Sequence, residues 1–241
     1  VDVPSPAKNE ILIKVEAAGI CGTDRHLYHG EFPSVPEKIL GHEFSGIVVD
    51  SGETEIPEGA RVTCDPNTWC GACSQCQRGR VNLCINNLAT GIHRDGGFAE
   101  FCVFPASKAV VLPDKINPLY GAFCEPLACT LHGMDMGAAQ EGETVLVIGG
   151  GVIGLMAVQL AKLAGAKVLL LTRSPEKQTL GLNTGADYAV GTESEVRAIW
   201  PEGADLVVEC AGVSATVTLS HKLARSGGRV VILGVISQGE Q

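Results

Sequence analysis

No run of this sequence reaches the roughly 20 consecutive apolar residues that a membrane-spanning helix needs. The longest candidate, Val145 to Leu160, is broken by Gly149, Gly150, Gly151 and Gly154, which argues against a bilayer span. A basic start followed by an apolar run is also missing. The chain opens Val1-Asp2-Val3-Pro4, so no secretory signal is visible, and the native start is expected upstream. Positive charge is scarce: 18 Lys and Arg against 27 Asp and Glu give a formal net charge of −9. That balance argues against a nucleic-acid partner, which needs a basic surface. An anionic cofactor stays possible, because helix N-termini and a few cations suffice to hold one. Internal repeats and low-complexity tails are absent.

Cysteine, by contrast, is abundant, with 10 in 241 residues. Four crowd between Cys70 and Cys84 at metal-ligand spacing. In a chain this long the pattern suits metal binding in a reducing cytosol better than a disulfide scaffold, and a cytoplasmic protein is expected. Cys64, Cys102, Cys124, Cys129 and Cys210 read as small buried hydrophobes.

The two halves follow different grammars. Up to about residue 115, short apolar runs (Ile11 to Val15 in alternation, Ile47–Val49, Phe98–Phe104, Ala109–Leu112) are bounded by Gly, Pro, Asp or Asn. This predicts a small barrel-like β domain. From about residue 144, strands alternate with helices: Thr144–Ile148, a helix Val152–Ala164 closed by Gly165, Lys167–Leu171, a helix around Glu176–Asn183, Asp205–Glu209, a helix near Ala215–Ala224, and Arg229–Leu233. Such alternation predicts a parallel sheet with right-handed crossovers. The stretch from Asn117 to Ala139 is expected to carry a connecting helix.

Three constellations carry chemistry. Cys70, Cys73, Cys76 and Cys84 form C-x2-C-x2-C-x7-C, a pattern that closes a tetrahedral all-sulfur site. Zinc suits it, with an iron–sulfur cluster as the rival. The intervening Gly71, Ala72, Gly79 and Arg80 supply almost no apolar core, so the metal would contribute folding energy directly.

The second is an open site. Cys21 and His42 are good zinc ligands, and Glu43 or a third group could add an oxygen. Gly46 stands where the helical metalloprotease motif requires a second histidine, so that motif is absent.

The third is Gly149-Gly150-Gly151-Val152-Ile153-Gly154, which follows a strand and opens a helix, as the dinucleotide fingerprint requires. Gly149 makes the turn, Gly151 admits the pyrophosphate, and Gly154 allows close packing. The first helical turn, through Val152 and Ile153, offers free amides. At the end of the next strand a ribose-binding acid is normally expected. The chain instead reads Leu171-Thr172-Arg173-Ser174 with Lys177 nearby. A guanidinium and hydroxyls there suit a 2′-phosphate, so NADP(H) is favoured over NAD(H). An arginine stacked on adenine is the alternative.

Taken in order, Cys21-Gly22-Thr23-Asp24-Arg25-His26, then Gly41-His42-Glu43-Phe44-Ser45-Gly46, the four-cysteine lobe, and Cys124-Glu125-Pro126-Leu127-Ala128 resemble the zinc-containing medium-chain dehydrogenase/reductase family. Glu-Pro-Leu resembles its sorbitol and polyol dehydrogenase branch, and the match runs from about Glu10 to Gly234. The resemblance implies an α/β protein with an N-terminal GroES-like β-barrel catalytic domain (1-134, with a structural-zinc lobe at 70-84). A Rossmann doubly wound parallel-sheet domain (135-241) would follow. It further implies two zinc ions per chain. The catalytic one would sit on Cys21 and His42, with Glu43 as third ligand or as a close carboxylate that tunes the ion, and Glu125 ligating directly, through water or transiently; the structural one would sit on Cys70, Cys73, Cys76 and Cys84. Thr23 and His26 would form the proton relay, with a turn hydroxyl and a surface histidine as the bland alternatives.

The implied reaction is hydride transfer between a secondary alcohol of polyol or sugar-alcohol type and NAD(P). A small-molecule alcohol or ketone is the expected partner, and a homo-oligomer, dimer or tetramer, is expected. Phe44, Leu27 and Tyr28 are expected at the pocket walls. A threonine dehydrogenase-like or simple alcohol dehydrogenase activity is the nearest rival. The chain departs from the family at Gly59-Ala60-Arg61-Val62, where Gly-Asp-Arg-Val is usual. The family's last Rossmann strand and returning catalytic segment would fall beyond residue 241, so an incomplete sequence is expected. A truncated, non-catalytic zinc and nucleotide-binding protein is the second class of reading. The joint presence of Cys21, Thr23, His26, His42 and Glu43 weighs against it.

Overall fold

The computed structural model describes residues 1–33 and 35–236. The chain divides into two compact units, Val1–Glu125 and Pro126–Gln241.

In the first unit, β1 (Glu10–Gly19) is followed by a seven-residue helix α1 (Gly22–Tyr28), then β2 (Glu43–Asp50) and β3 (Arg61–Cys64). A small lobe comes next, with β4 (Asn67–Thr68), one helical turn α2 (Ser74–Gln77) and β5 (Leu88–Ala89). The unit continues with β6 (Phe101–Pro105), β7 (Ala109–Val111) and the short helix α3 (Pro118–Ala122). Five strands pair antiparallel in the order β6-β1-β2-β3-β7, as the alternating runs predict. The core gathers Ile11, Ile13, Phe44, Val48, Val62, Cys64, Cys102 and Phe104, with Phe44 and Phe104 edge to face at 5.7 Å.

The strand expected at 98–104 begins only at Phe101. The preceding backbone is engaged elsewhere: Gly96, Gly97 and Phe98 donate to the carbonyls of Ile39, Gly41 and Leu40 at 2.8–2.9 Å. This pairing fixes the approach to His42, the residue just before β2.

The stretch 117–139 carries the expected connecting helix, preceded by a second, shorter one. Asn117 caps α3, its side chain accepting from Leu119 N at 2.9 Å, and α4 (Cys124–Gly137) starts after Phe123. Cys129 is exposed on α4, against the expectation of burial, whereas Cys64 and Cys102 are buried and Cys124 and Cys210 half-buried.

The second unit contains β8 (Thr144–Ile148), α5 (Val152–Leu163), β9 (Lys167–Leu171), α6 (Pro175–Asn183), β10 (Tyr188–Val190), α7 (Glu193–Ile199), β11 (Ala204–Glu209), α8 (Ser214–Leu223) and β12 (Ala224–Ile232). All strands are parallel in the order β10-β9-β8-β11-β12. Chain order reverses between β8 and β11, which is where doubly wound sheets open a ligand crevice. Val145, Val147, Val168, Leu170, Leu206 and Val208 fill one face and Leu146, Ile148, Leu169, Leu171 and Val207 the other. Burial on both sides explains why these strands read as unbroken apolar runs. β12 starts earlier than expected, at Ala224, because a register shift takes up residues between the Ala204–Ala224 and Leu206–Arg229 pairs. No helix among the described residues is long and apolar enough to cross a membrane.

Candidate active site

Strands β1 and β2 bring the open-site residues together. Gly19 lies directly opposite Glu43 in the ladder, Cys21 follows two residues later as the N-cap of α1, and His42 immediately precedes β2. Cys21, His42 and Glu43 each offer a ligand atom, all within 4.8 Å of one another, although 20 residues of sequence lie between the cysteine and the histidine. A Cβ on Gly19 would collide with Glu43 Oε2, so the missing side chain gives the carboxylate its space.

Asp24 was not singled out by the sequence. Its buried carboxylate accepts from Cys21 N at 2.8 Å, capping α1. Its other oxygen stands 3.2 Å from His42 Nδ1. An acid three residues after an N-cap position was the available signal. Burial opposes a charge on His42, yet hydrogen bonding to Asp24 and Cys21 outweighs it and raises the imidazole to about 10. Burial, then the nearby Glu125 carboxylate, push Glu43 upward against the opposing pull of His42. A largely enclosed set of a half-buried thiol, a buried imidazole and a carboxylate, with two further acids beside it, favours a cation at its centre. Such a donor set fits zinc with room for a fourth ligand.

Thr23 and His26 lie one turn apart on α1, on neighbouring positions of one helix face. His26 stacks on Phe32 at 4.6 Å and its Nδ1 meets Glu31 Oε2. Of the expected pocket walls, Phe44 and Leu27 are packed away at 1% and 7% exposure, while Tyr28 stands 82% exposed. Phe44 points into the sheet core because β2 alternates its faces.

In the lobe, the sulfurs of Cys70, Cys73, Cys76 and Cys84 converge within 4.8 Å. Cys70–Cys84 and Cys73–Cys76 sulfurs are 3.6 and 3.5 Å apart. Those spacings are far too long for a disulfide at about 2.05 Å, and near the edge of about 3.8 Å that zinc–sulfur bonds of about 2.3 Å imply for a tetrahedron. Backbone N–H groups already aim at the sulfurs: Cys73 N to Cys70 and Asn86 N to Cys84, each at 3.4 Å. Amide donation from Cys76 and Ile85 lowers the Cys73 thiol to about 6. Burial and the neighbouring thiols push Cys76 up to about 12. Among the described residues α2 buries no side chain, so the sulfurs are the lobe's own centre.

In the second unit, a cleft of about 540 Å³ opens at the switch point. Gly149 turns the chain at φ 106°, a conformation that only glycine adopts freely. A Cβ on Gly154 would strike Gly149 O, while space beside Gly151 is open, as the fingerprint requires. Val152, Ile153 and Gly154 form the first turn of α5, with Gly151 as N-cap. Thr172, Arg173 and Lys177 line the cleft on one side and Cys210, Ala211, Val213 and Thr216 on the other. Arg173 and Lys177 are exposed. Ser174 caps α6, accepting from Lys177 N at 3.3 Å and donating to Glu176 Oε2 at 3.2 Å.

Residues 7–114 match the alcohol dehydrogenase GroES-like domain, and residues 152–241 match the zinc-binding dehydrogenase family. A sorbitol dehydrogenase of Halalkalibacterium halodurans is 36% identical over 98% of this chain and 72% of its own length. An L-threonine 3-dehydrogenase of Bacillus licheniformis is 38% identical over 98% and 71%. A crystal structure of a zinc-binding dehydrogenase from Sinorhizobium meliloti, bound to NADP, matches with TM-score 0.96 and 54% identity, covering 100% of this chain and 74% of that one. The fold and the two sulfur-bearing clusters therefore define a zinc-dependent alcohol and polyol dehydrogenase that uses a nicotinamide cofactor. The chain belongs to the zinc-containing medium-chain dehydrogenase/reductase family, in its polyol branch.

Proposed function

We propose that this protein oxidises a secondary hydroxyl of a polyol or sugar alcohol to the ketone, reversibly, with NADP+ in preference to NAD+. The observation that carries the reaction is the convergence of Cys21, His42 and Glu43 beside α1, which bears Thr23 and His26. Cys21, His42 and Glu43, with Glu125 as direct or transient partner, hold the catalytic zinc. The four lobe cysteines hold a second zinc, giving two per chain. When bound, zinc would supply a Lewis acid that favours ionisation of the substrate hydroxyl near neutral pH, and the nicotinamide would supply the hydride acceptor. Asp24 holds the His42 ring in place. Thr23 takes the hydroxyl proton and hands it to His26, which exchanges it with solvent.

Gly149, Gly151, Val152, Ile153 and Gly154 bind the pyrophosphate at the start of α5. Thr172, Arg173 and Lys177 recognise the 2′-phosphate, with Ser174 setting the turn. The preference for NADP(H) is supported by the absence of an acid among these positions and by the NADP bound to the relative from Sinorhizobium meliloti. A reducing cytosol is supported by the metal-ligand spacing of Cys70, Cys73, Cys76 and Cys84, which suits thiolates better than a disulfide scaffold. A homo-oligomer is supported by the apolar side chains that the lobe exposes, Trp69, Leu83, Ile85 and Leu88. Light scattering on the purified protein checks the assembly.

The deciding experiment is a panel of polyols, simple secondary alcohols and L-threonine, each with both cofactors, alongside zinc analysis. Turnover of polyols, NADP+ preference lost in Arg173→Asp, and two zinc ions per chain are expected. Better turnover of L-threonine, an NAD+ preference, or a single zinc would each overturn the corresponding part.

A further inference from the structure

We infer that Glu31 is the positioning residue of the proton-carrying histidine, completing a Thr23–His26–Glu31 series of hydroxyl, imidazole and carboxylate. This rests on the reading of Thr23 and His26 as the proton relay.

The local fold delivers Glu31 to its place. α1 ends in a reversing turn: Gly30 N donates to Leu27 O at 3.1 Å and Glu31 N to His26 O at 2.9 Å. Gly30 takes φ 71°, the left-handed position that this helix-ending motif needs. The turn carries Glu31 back over the last turn of the helix, where its Oε2 lies 2.5 Å from His26 Nδ1. Phe32 then covers one face of the ring, 4.6 Å away and 30° from parallel. The imidazole is thus held at one nitrogen and along one face.

The contact decides what the other nitrogen can do. A neutral imidazole carries one N–H, and Nδ1 donating to Glu31 leaves Nε2 as the acceptor. That is the tautomer a relay from a hydroxyl requires. As the substrate hydroxyl gives its proton to Thr23 Oγ1, Thr23 gives its own to His26 Nε2. The ring then carries protons on both nitrogens, with its positive charge facing the Glu31 carboxylate. The Nε2 proton leaves to water, which reaches both partners: His26 and Glu31 side chains are 24% and 43% exposed. Arg25 on α1 and His29 at its C-cap are the titratable neighbours in sequence, and from the following turn Glu31 is the charged group that meets the His26 ring.

A stabilising role alone would not need this side chain. The helix cap uses the Glu31 backbone amide, which any residue except proline supplies, and half-exposed ion pairs add little to stability. Glu31→Ala is therefore expected to fold.

The test is nitrogen-15 NMR of the histidine rings in the zinc-loaded protein, with steady-state kinetics on wild type, Glu31→Ala, Glu31→Gln and Thr23→Val. Wild-type His26 is expected as the Nδ1–H tautomer and Glu31→Ala as a mixture. For Glu31→Ala, kcat at neutral pH should fall roughly ten-fold with KM nearly unchanged, and recover at high pH, where solvent removes the proton. Glu31→Gln, whose amide oxygen can still accept from Nδ1, should keep the tautomer and lose less activity. An unchanged tautomer in Glu31→Ala overturns the inference. A changed tautomer with unchanged kcat overturns its catalytic part. Wild-type kcat in Thr23→Val overturns the relay itself.

Discussion

His42 Nδ1 and Asp24 Oδ1 lie 3.2 Å apart, both side chains withdrawn from solvent. An acid on Nδ1 fixes the ring and leaves Nε2 for a metal, and such partners typically change metal affinity roughly 10- to 100-fold. Asp24→Asn is expected to weaken zinc at the Cys21–His42–Glu43 site within that range while the lobe keeps its metal. Competition with a graded chelator series, read by metal analysis, checks it. Equal loss from both sites would show a general loss of structure instead.

Gly19 predicts a loss of activity without a loss of fold. A Cβ there would meet Glu43 Oε2, the far end of a flexible side chain, with Glu43 Cβ next at 3.3 Å. The carboxylate can swing away, so Gly19→Ala should cost under about 1 kcal/mol of stability. Its displacement from Cys21 and His42 should nevertheless lower kcat/KM roughly ten-fold or more. Denaturant unfolding and kinetics on the same preparation separate the two effects.

The four-cysteine lobe should depend on its metal. Cys73→Ser removes a sulfur from a lobe whose helical turn buries nothing. The expected result is loss of one zinc per chain and fast proteolysis confined to the stretch between Trp69 and Leu88, because structural zinc contributes folding energy directly. Protease mapping with metal analysis reads both, and a lobe that resists protease without its metal would contradict the prediction.

How legible each feature was follows from where its determinants lie. β8, β9 and β11 were readable because burial on both faces demands uninterrupted apolar residues, and α5 because Gly151 and Gly165 bracket it. β10 has three residues, and α7 buries only Val196, so neither leaves a periodic trace. α1 is seven polar-rich residues that depend on one cap from Asp24. The convergence of the four lobe cysteines, and of Cys21, His42 and Glu43, was legible through residue type and spacing. Asp24, Gly19 and Glu31 were not, since each acts through a contact that exists only once β1 meets β2 or the chain turns at Gly30.

Asp205 gives a pH-dependent prediction. Its carboxylate accepts from Thr144 N at 2.8 Å and from Thr144 Oγ1 at 2.7 Å, and Arg225 donates to it at 2.6 Å. The Thr144 amide first, with Arg225 assisting, lowers it from 3.8 to about 2. A depressed acid stabilises the fold above its unfolded value, and that contribution disappears as pH falls through its folded value. Solvent screening limits the contribution to about 1 kcal/mol. Asp205→Asn should therefore be less stable by about that amount at neutral pH, with the gap closing between about pH 4 and pH 2. Urea unfolding of both proteins across that range tests the sign, and a gap that widened on acidification would refute it.

Glu209 should set the far wall of the cofactor cleft. It is fully buried at the end of β11, and its Oε1 accepts from Ala211 N at 2.8 Å, Gly212 N at 3.0 Å and Thr216 Oγ1 at 2.7 Å. Ala211 and Thr216 line the cleft across from the Gly149 turn, where a Cβ would already stand 2.9 Å from Ala211 N. The carboxylate thus holds the loop against the nucleotide-binding turn. Removing it in Glu209→Ala strands buried donors at about 1–3 kcal/mol each, and a marked loss of stability is expected. Glu209→Gln can keep an oxygen at the same point, so it should fold while binding cofactor several-fold more weakly. Thr216→Val removes one of the three donors and should lie between wild type and Glu209→Ala in stability. Thermal unfolding and cofactor titration of the three variants measure this order. Wild-type stability in Glu209→Ala would mean that the loop is held by its backbone alone.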